Sequence, residues 1–564
     1  MKKFPVYKCD YIFNKYCGKK PKEVKLKLKG IELEYPCRLD AMAINPAAVS
    51  YNDSMIFTPG EVLVSINKKI KTKIEVIDKN GGIINVSDKT KRKVLVKHAY
   101  YLLCDALKVK PSLNIEVIDD EIPKHCGFGS SSSIIASVAV AINELYGNPI
   151  SYPDLIKYIV ANHGEEISDD NYDDLKMVQC IGGGATNGMT EEGIIIIAGR
   201  ATIISKMKYE SKVLIALPND FEKKDAQFLM EEEEKNLYKF EATGKKYSEK
   251  IAYNLLHLAI PGMVNGSLKE LADVVFDYRF NMGSIENCSF VYPNMVNQAK
   301  ELRKLYENND CEFLALSSVG PAYFMFVNEK AKISKCKKML KDLNMSCIET
   351  SICNTRYTVN KKEEIKFWED EETILQFYNK KPSKYITDVI DKLNYSNAAD
   401  IGCGGCRYSR YIAKKGIKVD AVDKNNTMFK YVKDKNVNLI TADMKDLPLK
   451  SNSYDLVLSI GVLHNALTLE DYNKSISELH RILKKNGDFI ISVFTNEVIT
   501  DDLKYEGNSR YSVNGRDPMV LLSKEDVLKL LEKKFKLIEV FDEHITDVGD
   551  GGKRNVVSFY FKKK

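Results

Sequence analysis

The chain has 564 residues, more than one ordinary core organises, and domains of usual size put about two to four in it. Hydrophobic residues at 44% and charged residues at 29% exclude a disordered chain, and 84 basic against 78 acidic side chains leave too small a surplus to single out a nucleic-acid partner. The 13 cysteines are scattered, which excludes the dense framework of a small secreted domain, and the absence of a long apolar run predicts a cytoplasmic protein with no membrane partner.

Along the chain, residues 56–97 alternate apolar and polar positions, in EVLVSINKKIKTKIEVIDK and again in KRKVLVKHAY, and read as strands of a sheet with one wet face. YLLCDALKVKPSLNIEVIDDEIPK then runs helix, loop, strand. In HCGFGSSSSIIASVAVAINELYG, a glycine-serine loop feeds an apolar helix of small residues. Gly127, Gly129, Ser130, Ser131 and Ser132 place N–H groups and hydroxyls at the mouth of that helix, a physically good anion cradle, with Lys124 and His125 at its edge. A second glycine loop, CIGGGATNGM at 180–189, precedes the strand GIIIIAGR. Residues 222–280 are helical in pattern, and their acidic run EEEE is expected to be a solvated face or an active-site flap. CEFLALSSVGPAYFMFVN reads as two strands about a tight turn. The charged stretch NKKEEIKFWEDEETILQFYNKKP is expected to carry a linker and leading helix, which places a boundary near residue 358 and a linker over 358–384.

From residue 385 helices alternate with the short apolar strands AADIG, KVDAVD, VNLITAD, YDLVLSI and GDFIISVF, the pattern of a mostly parallel α/β sheet. Gly402 and Gly404 turn tightly after the first of these, and Asp423 closes the second, where a carboxylate suits a ribose diol. Cys403 and Cys406 form a CxxC inside the turn with no second pair nearby, so neither zinc nor a redox pair is expected there.

This half resembles the class I S-adenosylmethionine-dependent methyltransferases. Asp400, Gly402 and Gly404 match their first motif, Asp423 their ribose-binding acid, and Asp443 with Met444 their adenine loop. The resemblance implies a Rossmann-like domain over 385–564 that binds S-adenosylmethionine and transfers its methyl group by direct displacement. His464, just after the fourth strand, is a candidate base or a residue ordering the cofactor pocket.

The first half resembles the superfamily of galactokinase, homoserine kinase and mevalonate kinase (GHMP) through its glycine-serine loop, which implies a two-lobed α+β domain over 1–357. Asn187 stands near where those kinases would have an aspartate, and SSVGP replaces their third motif. CRLDAMAINP, CGFGSSSS, GGGATNG, GIIIIAGR and ALSSVGPAYF together resemble a non-kinase branch, the β-ribofuranosylaminobenzene 5′-phosphate synthases. That resemblance implies condensation of 5-phosphoribosyl 1-diphosphate with a para-substituted benzoate, with loss of carbon dioxide and diphosphate and with Mg²⁺ as an expected cofactor. Arg38, Lys124 and Arg200 are the candidates for holding phosphate or carboxylate. Asp40 stands where the branch has a histidine and is a candidate catalytic carboxylate or a plain turn residue. A bifunctional enzyme acting on one small molecule is expected, with a small-molecule kinase fusion or a noncatalytic binding module as alternatives and a homodimer as the assembly to test.

Overall fold

The computed structural model describes residues 9–16, 24–49, 59–167, 175–177, 183–222, 224, 226–513, 516–548 and 552–564. Positions 180–182 of the second glycine loop lie outside the described residues. The chain divides into two compact units, Met1–Glu364 and Ile365–Lys564.

The first unit is α+β. Its larger sheet runs Thr358–Glu364, Leu28–Ala43, Glu61–Asp78, Ser112–Ile118, Ile84–Val86, and Ile194–Ala198 pairs with the start of Glu61–Asp78 and with Thr202–Met207. A second, antiparallel sheet runs Phe313–Leu316, Tyr323–Phe326, Lys212–Pro218, Met345–Ser351. Every residue of the helix Ser130–Leu145 is buried, as expected of a helix apolar or small on all sides.

Two expectations change here. KVLVKHAY is helix, not strand: Lys93–Leu107 buries Val94, Leu95, His98, Ala99, Leu102 and Leu103, a spacing of three and four that its opening alternation concealed. Thr358–Glu364, expected to open the linker, is instead a strand paired antiparallel with Leu28–Glu34, so the division falls at Glu364/Ile365. The segment that follows belongs to the second unit, where the helix Glu371–Asn379 is capped by the Asp370 carboxylate accepting from the Thr373 N–H.

The second unit is a Rossmann-like α/β sheet in the order Val437–Thr441, Lys418–Asp423, Asn397–Ile401, Tyr454–Ile460, Leu483–Thr495, Lys553–Lys563, Phe535–Asp547. The first five strands are parallel, Lys553–Lys563 runs antiparallel between its two neighbours, and Phe535–Asp547 at the edge returns to the direction of the first five. Ala399, Ile401, Val457, Phe489 and Ile491 face one core layer while Ala398, Leu456, Leu458 and Ile490 face the other, the two-sided burial of a parallel sheet. The chain reverses strand order at Asn397–Ile401, which opens a crevice at the carboxyl ends of this strand and its neighbours.

Candidate functional sites

In the first unit the site begins on Leu28–Ala43. Arg38 and Asp40 are two apart on one strand and therefore share a face. The glycine-serine loop is clamped there between two groups. An Arg38 amino group donates to the Gly127 carbonyl at 3.3 Å, and the Ser317 hydroxyl donates to the same carbonyl at 2.6 Å. Gly127 and Gly129 have φ of 90° and 60°, and a Cβ on them would lie 2.7 Å from the Ser317 carbonyl oxygen and from Arg38 Nε respectively. Only glycine permits both the dihedral and the approach.

Asp40 is 4% exposed, and its N–H donates to the Ser317 hydroxyl at 3.1 Å. Burial raises its carboxyl above the ordinary aspartate range, against the opposing pull of Arg38 and Arg279. Its Oδ1 and Arg38 Nε are buried without a hydrogen-bond partner, so an acceptor and a donor with spare capacity lie beside the loop. The sequence reading missed Arg279. From the helix Lys269–Asn281 it donates to the carbonyls of Ala41 at 2.6 Å, Asp40 at 3.1 Å and Ser318 at 3.0 Å, which fixes the strand end and the Ser-Ser-Val-Gly-Pro turn together.

A second group of missed residues meets the start of Ser130–Leu145. The Arg92 guanidinium, 1% exposed, donates to the hydroxyls of Ser130 at 2.8 Å and Ser131 at 2.5 Å and to the Glu166 carboxylate. The Ser131 hydroxyl in turn donates to Glu165 at 2.7 Å, and His163 lies 3.1 Å from the other Glu165 oxygen. Burial works against the Glu165 charge, but His163 and Arg92 outweigh it and hold the carboxyl down at about 2. Burial raises Glu166, and it raises Glu233 of the acidic run to about 7 with help from the Glu165 charge. Within EEEE, Glu232 and Glu233 are half-buried, while Glu231 and Glu234 are exposed. His163, Glu165 and Glu166 follow the helix Tyr152–Ala161, where Gly164–Glu165 pairs as a short strand with Lys176–Met177.

Other expected residues fall differently. The Ser132 hydroxyl donates to the Gly129 carbonyl at 3.1 Å, and Lys124 is half-buried beside the loop. Arg200 is exposed in a positive-φ turn, and no hydrogen bond among the described residues joins it to the loop. Asn187 is fully buried and donates to the Pro36 carbonyl at 2.6 Å, so it braces the strand that carries Arg38.

In the second unit the turn after Asn397–Ile401 is closed by Gly402, whose Cβ would lie 2.2 Å from Val462, and by Gly405, whose Cβ would lie 2.6 Å from the Tyr378 nitrogen. Gly404 is different: its φ is 52° and a Cβ there would meet only Met428, at 3.6 Å. Gly461, at the end of Tyr454–Ile460, would meet nothing within 4 Å. Backbone therefore faces open space at the carboxyl ends of two adjacent strands. Asp423 borders it, with one oxygen accepting from the Gly404 N–H at 2.9 Å and the other from the Asn425 N–H at 3.0 Å, which leaves each oxygen a lone pair for a diol. Burial raises its carboxyl. Asp443 accepts from the Lys445 N–H at 3.1 Å and lies 3.6 Å from the Lys424 ammonium, and Met444 packs on the core.

Two candidates lie off the crevice. Asp400 is 2% exposed, and its carboxylate accepts from the Ser409 N–H at 3.1 Å, tying the strand to the next helix. Burial lifts it to about 6. His464 is not placed as a base. It is 2% exposed, its Nδ1 accepts from the Phe494 N–H at 3.1 Å, and its ring stacks on Phe494 at 4.0 Å. Burial and the Arg554 charge push it down to about 3, so the ring is neutral and braces two strand ends. The Cys403 and Cys406 sulfurs lie 3.5 Å apart as buried thiols within the turn.

Family comparison matches the methyltransferase domain at residues 399–491 and the GHMP kinases N-terminal domain at residues 94–174. The chain joins a GHMP-superfamily domain to a class I methyltransferase domain. A methyltransferase domain of this class implies binding of S-adenosylmethionine, and the open backbone at Gly404 and Gly461 with Asp423 beside it fits that molecule. The chain is 27% identical to mouse tRNA (carboxymethyluridine(34)-5-O)-methyltransferase ALKBH8 over 22% of its own length and 19% of that protein. It is 31% identical to an uncharacterised protein of Methanocaldococcus jannaschii over 25% of its length and 64% of that protein. It thus spans about a fifth of the first of these relatives and under two thirds of the other. Among solved structures, homoserine kinase from Cytophaga hutchinsonii is 12% identical, with a TM-score of 0.39 over 59% of this chain and 97% of that one. A methyltransferase from Methanosarcina mazei is 14% identical, with a TM-score of 0.29 over 33% of this chain and 99% of that one. No helix among the described residues is long and apolar enough to cross a membrane.

Proposed function

We propose that the protein is a bifunctional small-molecule enzyme: its first unit transfers ribose 5-phosphate from 5-phosphoribosyl 1-diphosphate to a 4-substituted benzoate with decarboxylation, and its second methylates the resulting C-riboside. The observation that carries the first step is the unpaired Arg38 Nε and Asp40 Oδ1 beside the Gly127–Gly129 loop, a cation and a carboxyl group at one anion cradle. As the bond from the anomeric carbon to diphosphate breaks, its electron pair leaves with diphosphate, which the loop N–H groups, Arg38 and Lys124 receive. Asp40 faces the positive charge that develops on the anomeric carbon. The ring carbon bearing the carboxylate forms the new carbon–carbon bond, and the pair released as carbon dioxide leaves restores the aromatic ring. Magnesium commonly binds through one or two carboxylates plus substrate phosphates, and of the carboxylates here Glu165 is held ionised, its present partners being the Ser131 hydroxyl and His163. Among the described residues no group of three His, Cys, Asp or Glu side chains is placed to hold a metal ion.

A kinase reading is less well supported, because the side chain standing near where such an enzyme would carry an aspartate is Asn187, an amide that carries no charge and takes up no proton, and whose nitrogen donates to the Pro36 carbonyl. For the second step the chain's task is alignment: Asp423 holds the ribose of the donor, and the backbone at Gly404 lets it approach. The test is product release from the full chain with 5-phosphoribosyl 1-diphosphate, Mg²⁺ and 4-hydroxy- or 4-aminobenzoate. Carbon dioxide and diphosphate in equal amounts are expected. ATP consumption with the carboxylate intact would instead establish the kinase.

A further inference from the structure

Cys403 and Cys406 are the only cysteines of the second unit, and no local pattern predicts redox chemistry for them, yet the fold brings their sulfurs to 3.5 Å. The Cys406 N–H donates to the Cys403 carbonyl at 2.9 Å, and the two thiols approach the Gly404 carbonyl at 3.7 and 3.9 Å. A hydrogen-bonded turn keeps its end Cα atoms within about 7 Å, and a disulfide spans about 4.4–6.8 Å, so the backbone is already near bonding range.

Closing that bond would shorten the sulfur separation to about 2.05 Å, a contraction the turn has to absorb. Its ends are held: the Cys403 N–H donates to the Val422 carbonyl at 3.0 Å, and the Cys406 carbonyl accepts from the Arg410 N–H at 2.8 Å in the helix Arg407–Ala413. Gly405 is blocked, since a Cβ on it would lie 2.6 Å from the Tyr378 nitrogen. Gly404 alone in the turn has open space, and its N–H is the donor that meets Asp423 at 2.9 Å. The contraction therefore falls on Gly404 and draws its N–H off the carboxylate that suits the ribose.

We propose that Cys403 and Cys406 are a dithiol–disulfide switch in the methyl-donor turn, the dithiol binding the donor and the disulfide binding it weakly. The inference rests on the reading that the second unit binds S-adenosylmethionine. The oxidant is a small disulfide such as oxidised glutathione. Cys403, 8% exposed where Cys406 is fully buried, attacks one oxidant sulfur as its thiolate and expels the first thiolate; the Cys406 thiolate then attacks the Cys403 sulfur of the mixed disulfide and expels the second. Two protein thiols are oxidised, one small disulfide is reduced to two thiols, and the two cysteine protons end on those. Burial raises the Cys403 thiol and slows the first attack, so the equilibrium is the quantity to read.

The experiment equilibrates the full chain in graded mixtures of reduced and oxidised glutathione, traps free thiols by alkylation, and reads the peptide carrying both cysteines by mass spectrometry. Calorimetry with S-adenosylhomocysteine follows on the reduced and oxidised chain and on Cys406→Ser. An internal disulfide in that peptide, affinity at least about tenfold lower after oxidation, recovery with dithiothreitol, and the same Kd for Cys406→Ser under both conditions are expected. By reciprocity, saturating S-adenosylhomocysteine should move the midpoint of the pair to less negative potential by about 30 mV for each tenfold loss. No internal disulfide at any ratio, a lasting mixed disulfide with glutathione, or a disulfide with an unchanged Kd would overturn the switch while leaving the donor site standing. No binding heat in the reduced chain would overturn both. If Cys406→Ser does not fold, reversal by dithiothreitol and the ligand-induced midpoint shift in the wild type decide.

Discussion

At Gly127 and Gly129 the space a side chain would need is already taken by Ser317 and Arg38, whereas at Gly404 and Gly461 it is almost empty. The two glycine turns serve different ends. In the first unit glycine lets protein approach protein, bringing Arg38, Asp40 and the serine hydroxyls to one place. In the second unit glycine leaves backbone open for a ligand. The charges differ as well: the first site sets buried Arg92 against Glu165 and Glu166, while the second relies on one carboxylate held by backbone N–H groups. A glycine-rich loop therefore announces close approach and leaves unsaid what does the approaching.

The contrast can be broken most forcefully at Arg92. Arg92→Ala strands the buried Glu166 carboxylate and should destabilise the first unit by about 3–5 kcal/mol, read by chemical denaturation. Asp423→Ala should leave the fold intact and lower affinity for S-adenosylhomocysteine about ten- to a hundredfold by calorimetry, because hydrogen bonds to a charged group are lost. The glycines sharpen it further. Gly129→Ala should displace the Arg38 guanidinium and abolish turnover in the first unit, while Gly404→Ala, which meets no close neighbour, should cost only the left-handed strain of about 1–2 kcal/mol and weaken donor binding.

The smallest effects concern the two buried groups behind the second site, and their pH slopes run in opposite directions. His464 is held down at about 3 from its usual 6.5, so between these values the unfolded chain binds a proton that the folded chain refuses. Its stabilising contribution is complete above 6.5 and is lost as pH falls toward 3. Asp400 is raised from 3.8 to about 6, so its contribution is complete below 3.8 and is lost as pH rises to about 6. Denaturation across pH should show His464→Gln removing the first slope and Asp400→Asn the second. His464→Gln should also keep the methyl-transfer pH profile of the wild type, since a neutral buried ring takes no proton from the acceptor.

The parallel sheet was legible because each of its strands is a short apolar run between polar helices, and Gly402, Gly404 and Asp423 sit at the strand ends where such a fold puts ligands. The glycine-serine loop was legible from its own composition ahead of an apolar helix, whereas Arg38 and Asp40 were singled out only through the resemblance carried by CRLDAMAINP. Arg92 and Arg279 were not, because their partners lie 74 and 238 residues away and a buried arginine has no local signature. Lys93–Leu107 was misread because a few alternating residues precede its helical spacing, and Thr358–Glu364 because an exposed, charged edge strand reads as a linker. His464 was placed correctly at a strand end, but sequence could not tell that its ring turns inward to Phe494.

The most direct test of two chemistries at two glycine turns is mass spectrometry of the full chain's products from 5-phosphoribosyl 1-diphosphate, Mg²⁺ and a panel of 4-substituted benzoates, with and without S-adenosylmethionine. A ribose phosphate adduct lacking the carboxyl group, one methylene heavier only when the donor is present, is the predicted result. Intact benzoates under both conditions, with the methyl group transferred instead to an added tRNA, would contradict it.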